Sequence, residues 1–321
     1  MTILMTGLCE KGADQIWKQC NDAMYAQGVT WLEEAAYAGD AEAWFFLGHC
    51  YSWGDGAVGF NEKKAYECYL RGASAGSARA VLGALRAGQY DEQMKQSARY
   101  SIEESYRQVR DAAEMGDVYA AWQMGEAVEW EDLADYMPQT ESAREQCLFW
   151  YERAADGGII PAMVKMGKCC QNGTYREKDE KEALRWANQC AASGEVWGLF
   201  QMGEHYRQEE DWEAAFQYDY AAAKQGSSRA MLYLGQMYLN GQGTERDIQA
   251  AVQALEGAAA RNEAESFEEL GNLFYQDELV ERDDEKAFYW YGKAYAAGIK
   301  EAALPLDRKS TRLNSSHGKL S

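Results

Sequence analysis

Histidine is scarce in this chain, with three residues in 321, at positions 49, 205 and 317. His49-Cys50 and Cys169-Cys170 lack the separated ligand pairs of a zinc site. So few histidines cannot supply a repeated metal or acid–base arrangement, and no cofactor is expected. Long apolar runs are missing, and none approaches the length of a membrane helix. The first residues, Met1 to Gly12, lack the basic region and apolar core of a secretory signal, and Leu8 is too large before Cys9 for a lipoprotein box. Positive charge is in deficit: 32 Lys and Arg stand against 52 Asp and Glu, a formal net charge of −20. That balance argues against nucleic acid or an anionic membrane as the partner and admits a basic protein.

What is present is a self-similar unit of about 36 residues between Gly39 and Gly298. Two small residues, a two-residue spacer and a glycine recur as Ala35-Ala36…Gly39, Gly72-Ala73…Gly76, Ala112-Ala113…Gly116 and Ala154-Ala155…Gly158. They continue as Cys190-Ala191…Gly194, Ala222-Ala223…Gly226, Ala258-Ala259…Asn262 and Ala294-Tyr295…Gly298. A second glycine lies nine residues after most of these caps, at Gly48, Gly125, Gly167, Gly203, Gly235 and Gly271. Around it, offsets −5, −1 and +3 carry small or apolar residues at helical spacing, which predicts an amphipathic helix A. A glycine inside that helix costs about 1 kcal/mol against alanine, so its recurrence implies a close helix–helix approach. Helix B precedes each cap, with small residues at −11 and −4 and rings at −8 (Trp31, Trp150, Trp186, Tyr218, Trp290). The closing glycine, or Asn262, suits the left-handed conformation that ends helices.

These residues resemble the Sel-1-like repeat, a relative of the tetratricopeptide repeat. Its clearest copies are Ala43-Trp-Phe-Phe-Leu-Gly-His-Cys-Tyr51 and Ala230-Met-Leu-Tyr-Leu-Gly-Gln-Met-Tyr238. The 36-residue period, the glycine-rich A–B loop and the missing terminal proline favour this class over the tetratricopeptide repeat itself. The resemblance implies an all-α, α/α superhelical solenoid. Residues 1–12 form an N-terminal segment, and 13–306 hold about seven helix pairs with a partial unit before them and a truncated one after. Two copies depart from the pattern: Leu85 replaces the expected glycine, and an insertion around Tyr136-Met-Pro138 lengthens one A–B loop. Residues 307–317 resemble a translated sequencing-library adapter, so 307–321 are expected to be a non-native tail carrying +3, leaving −23 on 1–306. Some exported relatives link their helices by disulfides, but the eight cysteines here show no one-pair-per-repeat spacing and are expected as buried thiols of a cytoplasmic, bacterial protein.

Two catalytic-looking motifs dissolve in context. Gly72-Ala-Ser74-Ala-Gly76 matches a nucleophile elbow but falls at the end of helix B, in register with copies lacking serine. Gly54-Asp-Gly56-Ala-Val-Gly59 matches a dinucleotide loop but joins two helices. The acidic run Asp277 to Glu285 lacks a calcium-loop glycine and is expected as a solvated loop.

No enzyme is expected. The expectation is a non-catalytic adaptor binding a protein or peptide, regulatory or immunity-type, with an envelope-associated or β-lactam-binding protein with enzymatic activity as the rival. In tetratricopeptide-like solenoids the A helices line the concave face. Offsets −6, −3, +1 and +4 from the helix-A glycine then select Phe45, His49, Tyr119, Trp122, Trp197, Phe200, Arg207 and Tyr275 as candidate partner-binding residues, in competition with a core role for the −3 rings.

Overall fold

The computed structural model describes residues 2–18, 22–54, 58–130, 143–276 and 279–302. Its regular structure is helical throughout these residues, and they fall in two compact units, Met1–Glu195 and Val196–Ser321. The Tyr136–Pro138 insertion, the acidic Asp277-Glu278 pair and the tail from 307 lie outside the described residues.

The repeating cap sets the architecture. Each helix B ends on a left-handed residue, from Gly39 (φ 103°) through Gly158 (φ 92°) and Asn262 (φ 60°) to Gly298 (φ 102°). The amide after it then bonds back to the carbonyl five residues earlier, as in Asp40→Ala35, Ser77→Gly72, Asp117→Ala112, Ser227→Ala222 and Ile299→Ala294. This turn satisfies helix-end carbonyls and aims the chain into the next helix A. Asp40, Ser77, Asp117 and Ser227 occupy the position after the turn, and their side chains accept the first amides of that helix. Asn61, Asp179, Asp211, Asp247 and Asp283 do the same for helix B.

Unit 1 contains α1 (Thr2–Trp17), α2 (Asp22–Tyr37), α3 (Ala41–Trp53), α4 (Glu62–Ala75), α5 (Ala78–Arg86), α6 (Glu92–Ser97), α7 (Ile102–Glu114), α8 (Val118–Glu129), α9 (Ala143–Asp156), α10 (Ile160–Asn172) and α11 (Glu180–Ala192). Unit 2 contains α12 (Val196–Gln208), α13 (Trp212–Lys224), α14 (Ser228–Asn240), α15 (Ile248–Ala259), α16 (Ala264–Tyr275) and α17 (Asp284–Ala296). The antiparallel pairs α1/α2, α3/α4, α8/α9, α10/α11, α12/α13, α14/α15 and α16/α17 make the most intimate contacts.

In six of these pairs the helix-A glycine rests on one residue of helix B, seven before the cap. A methyl on Gly48 would sit 2.6 Å from the Tyr69 ring, on Gly125 2.6 Å from Tyr151, and on Gly271 2.7 Å from Tyr291. Gly235 meets Leu255 at 2.6 Å, and Gly203 meets the Asp219 carboxylate. Real Cβ contacts are never that short, so glycine is required by the packing rather than by the backbone. The −8 rings lie one position before this contact. Trp186 and Trp150 are buried, whereas Trp31, Tyr218 and Trp290 are half-exposed.

Two boundaries differ from expectation. The N-terminal segment expected at 1–12 is part of α1, whose Gly12 packs on Leu32 as other helix-A glycines do, so α1 and α2 make a complete pair. The irregular copy at 77–116 has a nine-residue helix A, α5, and the added helix α6. Its Gly83, two positions before Leu85, meets the Tyr69 ring of the preceding pair at 2.7 Å.

Candidate functional site

The helix-A faces of the two units are built differently. In unit 1 the aromatic stripe packs on itself. Phe45 is 5% exposed, with its ring 5.1 Å from Phe46 and 6.5 Å from Tyr69, and belongs to the core. Tyr119 on α8 reaches α1: its hydroxyl donates to the Asp14 carboxylate at 2.6 Å, and its ring lies 5.2 Å from Phe46 and 6.1 Å from Trp17. Burial and the Asp14 charge both push the Tyr119 phenol well above its ordinary range. His49 stands edge-on to Trp17 at 5.3 Å, with Nε2 3.9 Å from a Glu126 carboxylate oxygen. Trp122 leans on Tyr151 at 5.2 Å.

A buried cation ties these helices together. Arg79 on α5 pairs with Asp117 at the start of α8 and with Glu42 on α3 at 3.5 Å, while its backbone carbonyl accepts from Gln123 of α8. Burial pushes the Glu42 carboxyl up, and Arg79 opposes that shift. The cleft left beside Phe45, His49, Gly83 and Gln123 holds a free volume of about 20 Å³. That is room for about one water, far short of the ~300 Å³ of an ordinary ligand pocket.

Unit 2 is open. A groove of about 390 Å³ is lined by Arg207 of α12, Trp212 of α13, Tyr233, Gln236 and Asn240 of α14, Gln242 after it and Glu269 of α16. The Gln236 amide donates to Glu269 at 2.9 Å, which links α14 to α16. Of the candidates here, Trp197, Phe200 and Tyr275 are half-buried. Phe200 lies 6.0 Å from the Tyr233 ring, and Tyr275 packs between Phe288 and Tyr291 at 6.3 and 6.2 Å.

Arg207 is more than a surface anchor. Its guanidinium stacks 3.7 Å from the Tyr233 ring centre and pairs with Asp219, which is 0% exposed. Asp219 occupies the position that carries Leu32, Tyr69, Val109, Tyr151, Ala187, Leu255 and Tyr291 in the other pairs. Burial pushes its carboxyl up to about 6, and Arg207 holds that rise in check. Sequence reasoning missed Asp219 because the column facing the glycine was not among those compared, yet a single charge in an apolar column was visible there. Tyr233, Asn240 and Glu269 were missed because they lie at −2 and +5, beside the chosen stripe.

No group of three or more metal-ligating side chains occurs among the described residues, and no helix there is long and apolar enough to cross a membrane. Ser74 lies inside α4, where its hydroxyl donates to the Leu70 carbonyl at 2.8 Å. The seven cysteines among the described residues are buried, and desolvation pushes the Cys68 and Cys147 thiols up to about 12, away from reactivity.

The family model of the Sel1 repeat matches residues 23–40, 41–77, 118–159, 160–195, 228–262 and 268–299. The chain belongs to the Sel1 repeat family. The stretches between the matches include 78–117, with the shortened α5, and 196–227, with Arg207 and Asp219. A Sel1 repeat protein from Oxalobacter formigenes superposes with a TM-score of 0.54 at 21% identity, covering 95% of this chain and 86% of that one. The protective antigen c5321 of uropathogenic Escherichia coli, which displays an SLR fold, gives 0.53 at 21% identity over 92% and 68%. At such identities the likeness shows the fold alone. An uncharacterized Neisseria meningitidis serogroup B protein, NMB1327, is 26% identical over 195 residues, 60% of this chain. The chain spans 38% of that protein's length. Sel1 repeat proteins are generally protein-interaction scaffolds.

Proposed function

We propose that this Sel1 repeat chain is a non-catalytic, cytoplasmic adaptor whose partner, a protein or peptide, docks on the helix-A face of unit 2. The observation that carries the reading is the contrast between the two faces. In unit 1 the corresponding aromatics are spent on contacts among α1, α3 and α8, whereas in unit 2 Tyr233, Asn240 and Glu269 line an open groove. Rings and arginine at a groove are favoured binding anchors. Buried thiols with raised pKa values support a reducing compartment.

The test is affinity purification of the full chain from its native cells, followed by the same experiment with Asn240→Arg. Asn240 is exposed at the end of α14, so the variant fills the groove without disturbing the core. A stoichiometric partner that is lost with Asn240→Arg supports the reading. A partner retained by that variant and lost on substituting the exposed Trp53 or Trp130 of unit 1 would overturn it.

A further inference from the structure

We infer that the unit 2 groove takes a cationic, lysine- or arginine-bearing extended segment, and that buried Asp219 selects for it by neutralising Arg207. The inference rests on the docking surface proposed above and adds the chemistry of the occupant.

Acidic residues outnumber basic ones on the three helices that contribute to the groove. On α12, α14 and α16 the carboxylates are Glu204, Glu265, Glu268 and Glu269, and the only strong cations are Arg207 and Arg229. Arg229 is exposed on the first turn of α14, away from the groove lining. Arg207 is the one cation in that lining, and left alone it would repel a basic partner. It is not left alone: Asp219 meets it from beneath with a carboxylate shut off from solvent, and Tyr233 covers its face. The groove thus keeps the shape and stacking surface of an arginine while its net potential comes from Glu269 in the lining and Glu204 one turn from Arg207. Asn240 and Gln236 add amide groups that can bond a peptide backbone. Charge complementarity of this kind chooses partners and speeds their association.

Placing a carboxylate under Gly203 is costly when Leu255 or Tyr291 serves the same packing role elsewhere. The Gly203 backbone also limits what fits there, since the Asp219 carboxylate lies directly against it. The charged groups that act on Asp219 are Arg207 and Glu204, both from α12, while the neighbouring α14 contributes the uncharged Tyr233. A consequence follows for acid pH. Protonating Asp219 removes the counter-charge, leaves Arg207 cationic at the groove floor, and weakens the hold on a basic segment.

The experiment uses the full chain and two fluorescent decapeptides, alternating Lys-Ala and alternating Glu-Ala, followed by anisotropy at pH 7.5 and pH 5. Expected is binding of the Lys-Ala peptide only. Glu204→Lys/Glu269→Lys should weaken it about ten-fold or more, while the equally charged control Glu281→Lys/Glu285→Lys, before and in the first turn of α17, leaves it within about two-fold. Asn240→Lys, at an exposed site, gives the same loss should the double variant fail to fold. Asp219→Asn should lower affinity at pH 7.5 and remove the further fall at pH 5. Equal losses from groove and control variants would mean the peptide senses only overall charge, and would overturn the inference. Preference for the Glu-Ala peptide would do so too. If a native partner is displaced by Asn240→Arg while neither groove variant discriminates peptide charge, the docking surface stands and the cationic occupant falls.

Discussion

Units 1 and 2 use the same helix pair, the same cap and the same glycine contact, yet one closes its helix-A face and the other leaves it open. The difference traces to one copy. In unit 1 Tyr119 of α8 spans past Phe46 of α3 to Asp14 of α1, and Arg79 of the nine-residue α5 reaches both Glu42 and Asp117. In unit 2 the helix-A segments α12 and α14 are each 13 residues, and a groove opens between Arg207 of α12 and the second half of α14. Polar groups follow the same division. Unit 1 buries Arg79 between neighbouring A helices, whereas unit 2 buries Asp219 inside a pair.

The sharpest way to break the comparison is at the buried ion pair. Arg207→Ala leaves the Asp219 carboxylate shut in without a partner, and unit 2 should lose about 3–5 kcal/mol in urea unfolding. Arg207→Leu combined with Asp219→Leu restores the apolar column of the other pairs and should recover most of that loss, while abolishing the pH effect on peptide binding. If the double variant is as unstable as the single one, the pair is not an optional device laid over an apolar seam.

The glycine contact comes next. Gly48→Leu in unit 1 drives a side chain into the Tyr69 ring and should cost roughly 1–3 kcal/mol or more, with Gly271→Leu behaving alike against Tyr291. Wild-type thermal stability in either variant would show that the close approach is misplaced. A smaller effect is expected from Tyr119→Phe, which removes one hydrogen bond to the partly exposed Asp14 and should cost about 1 kcal/mol. A double-mutant cycle with Asp14→Ala checks it, since additive losses would mean that α8 does not hold α1 through this bond.

The most specific effect is on pH dependence. Folding raises the Asp219 carboxyl from an ordinary 3.8 to about 6, so the native state holds that proton more tightly than the unfolded chain. Its contribution to stability is complete below 3.8 and is lost as pH rises through about 6. Asp91, Glu104, Glu180, Glu182 and Asp283 shift downward and act oppositely, but only as pH falls below their ordinary 3.8 or 4.5. Between pH 5 and 7 the wild type should therefore gain stability on acidification relative to Asp219→Asn, by roughly 1–2 kcal/mol. Parallel curves would remove Asp219 as the titrating group.

Much of the fold was legible because its signals are local. A cap that needs φ above zero leaves glycine or asparagine in register, and Gly39, Asn262 and Gly298 all take that conformation. The pair α1/α2 was legible only in part. Gly12 keeps the glycine, but Lys11 and Gln15 break the apolar positions at −1 and +3, so the stripe that marks other A helices fades. The site was less legible still. Tyr119 and Asp14 are 105 residues apart, and no repeat pattern announces their contact. Phe45, Tyr119 and Trp122 share the chemistry of binding rings, so composition alone cannot separate a face used for packing from one left open. Asp219 was readable, but only by comparing columns chosen for contact rather than for residue type.

Amide hydrogen exchange of the full chain, alone and saturated with its protein partner, tests the asymmetry most directly. The account predicts new protection along α12, α14 and α16, with α3 and α8 unchanged because their helix-A face is already filled. Protection gained on α3 and α8 instead, with unit 2 unaltered, would contradict it.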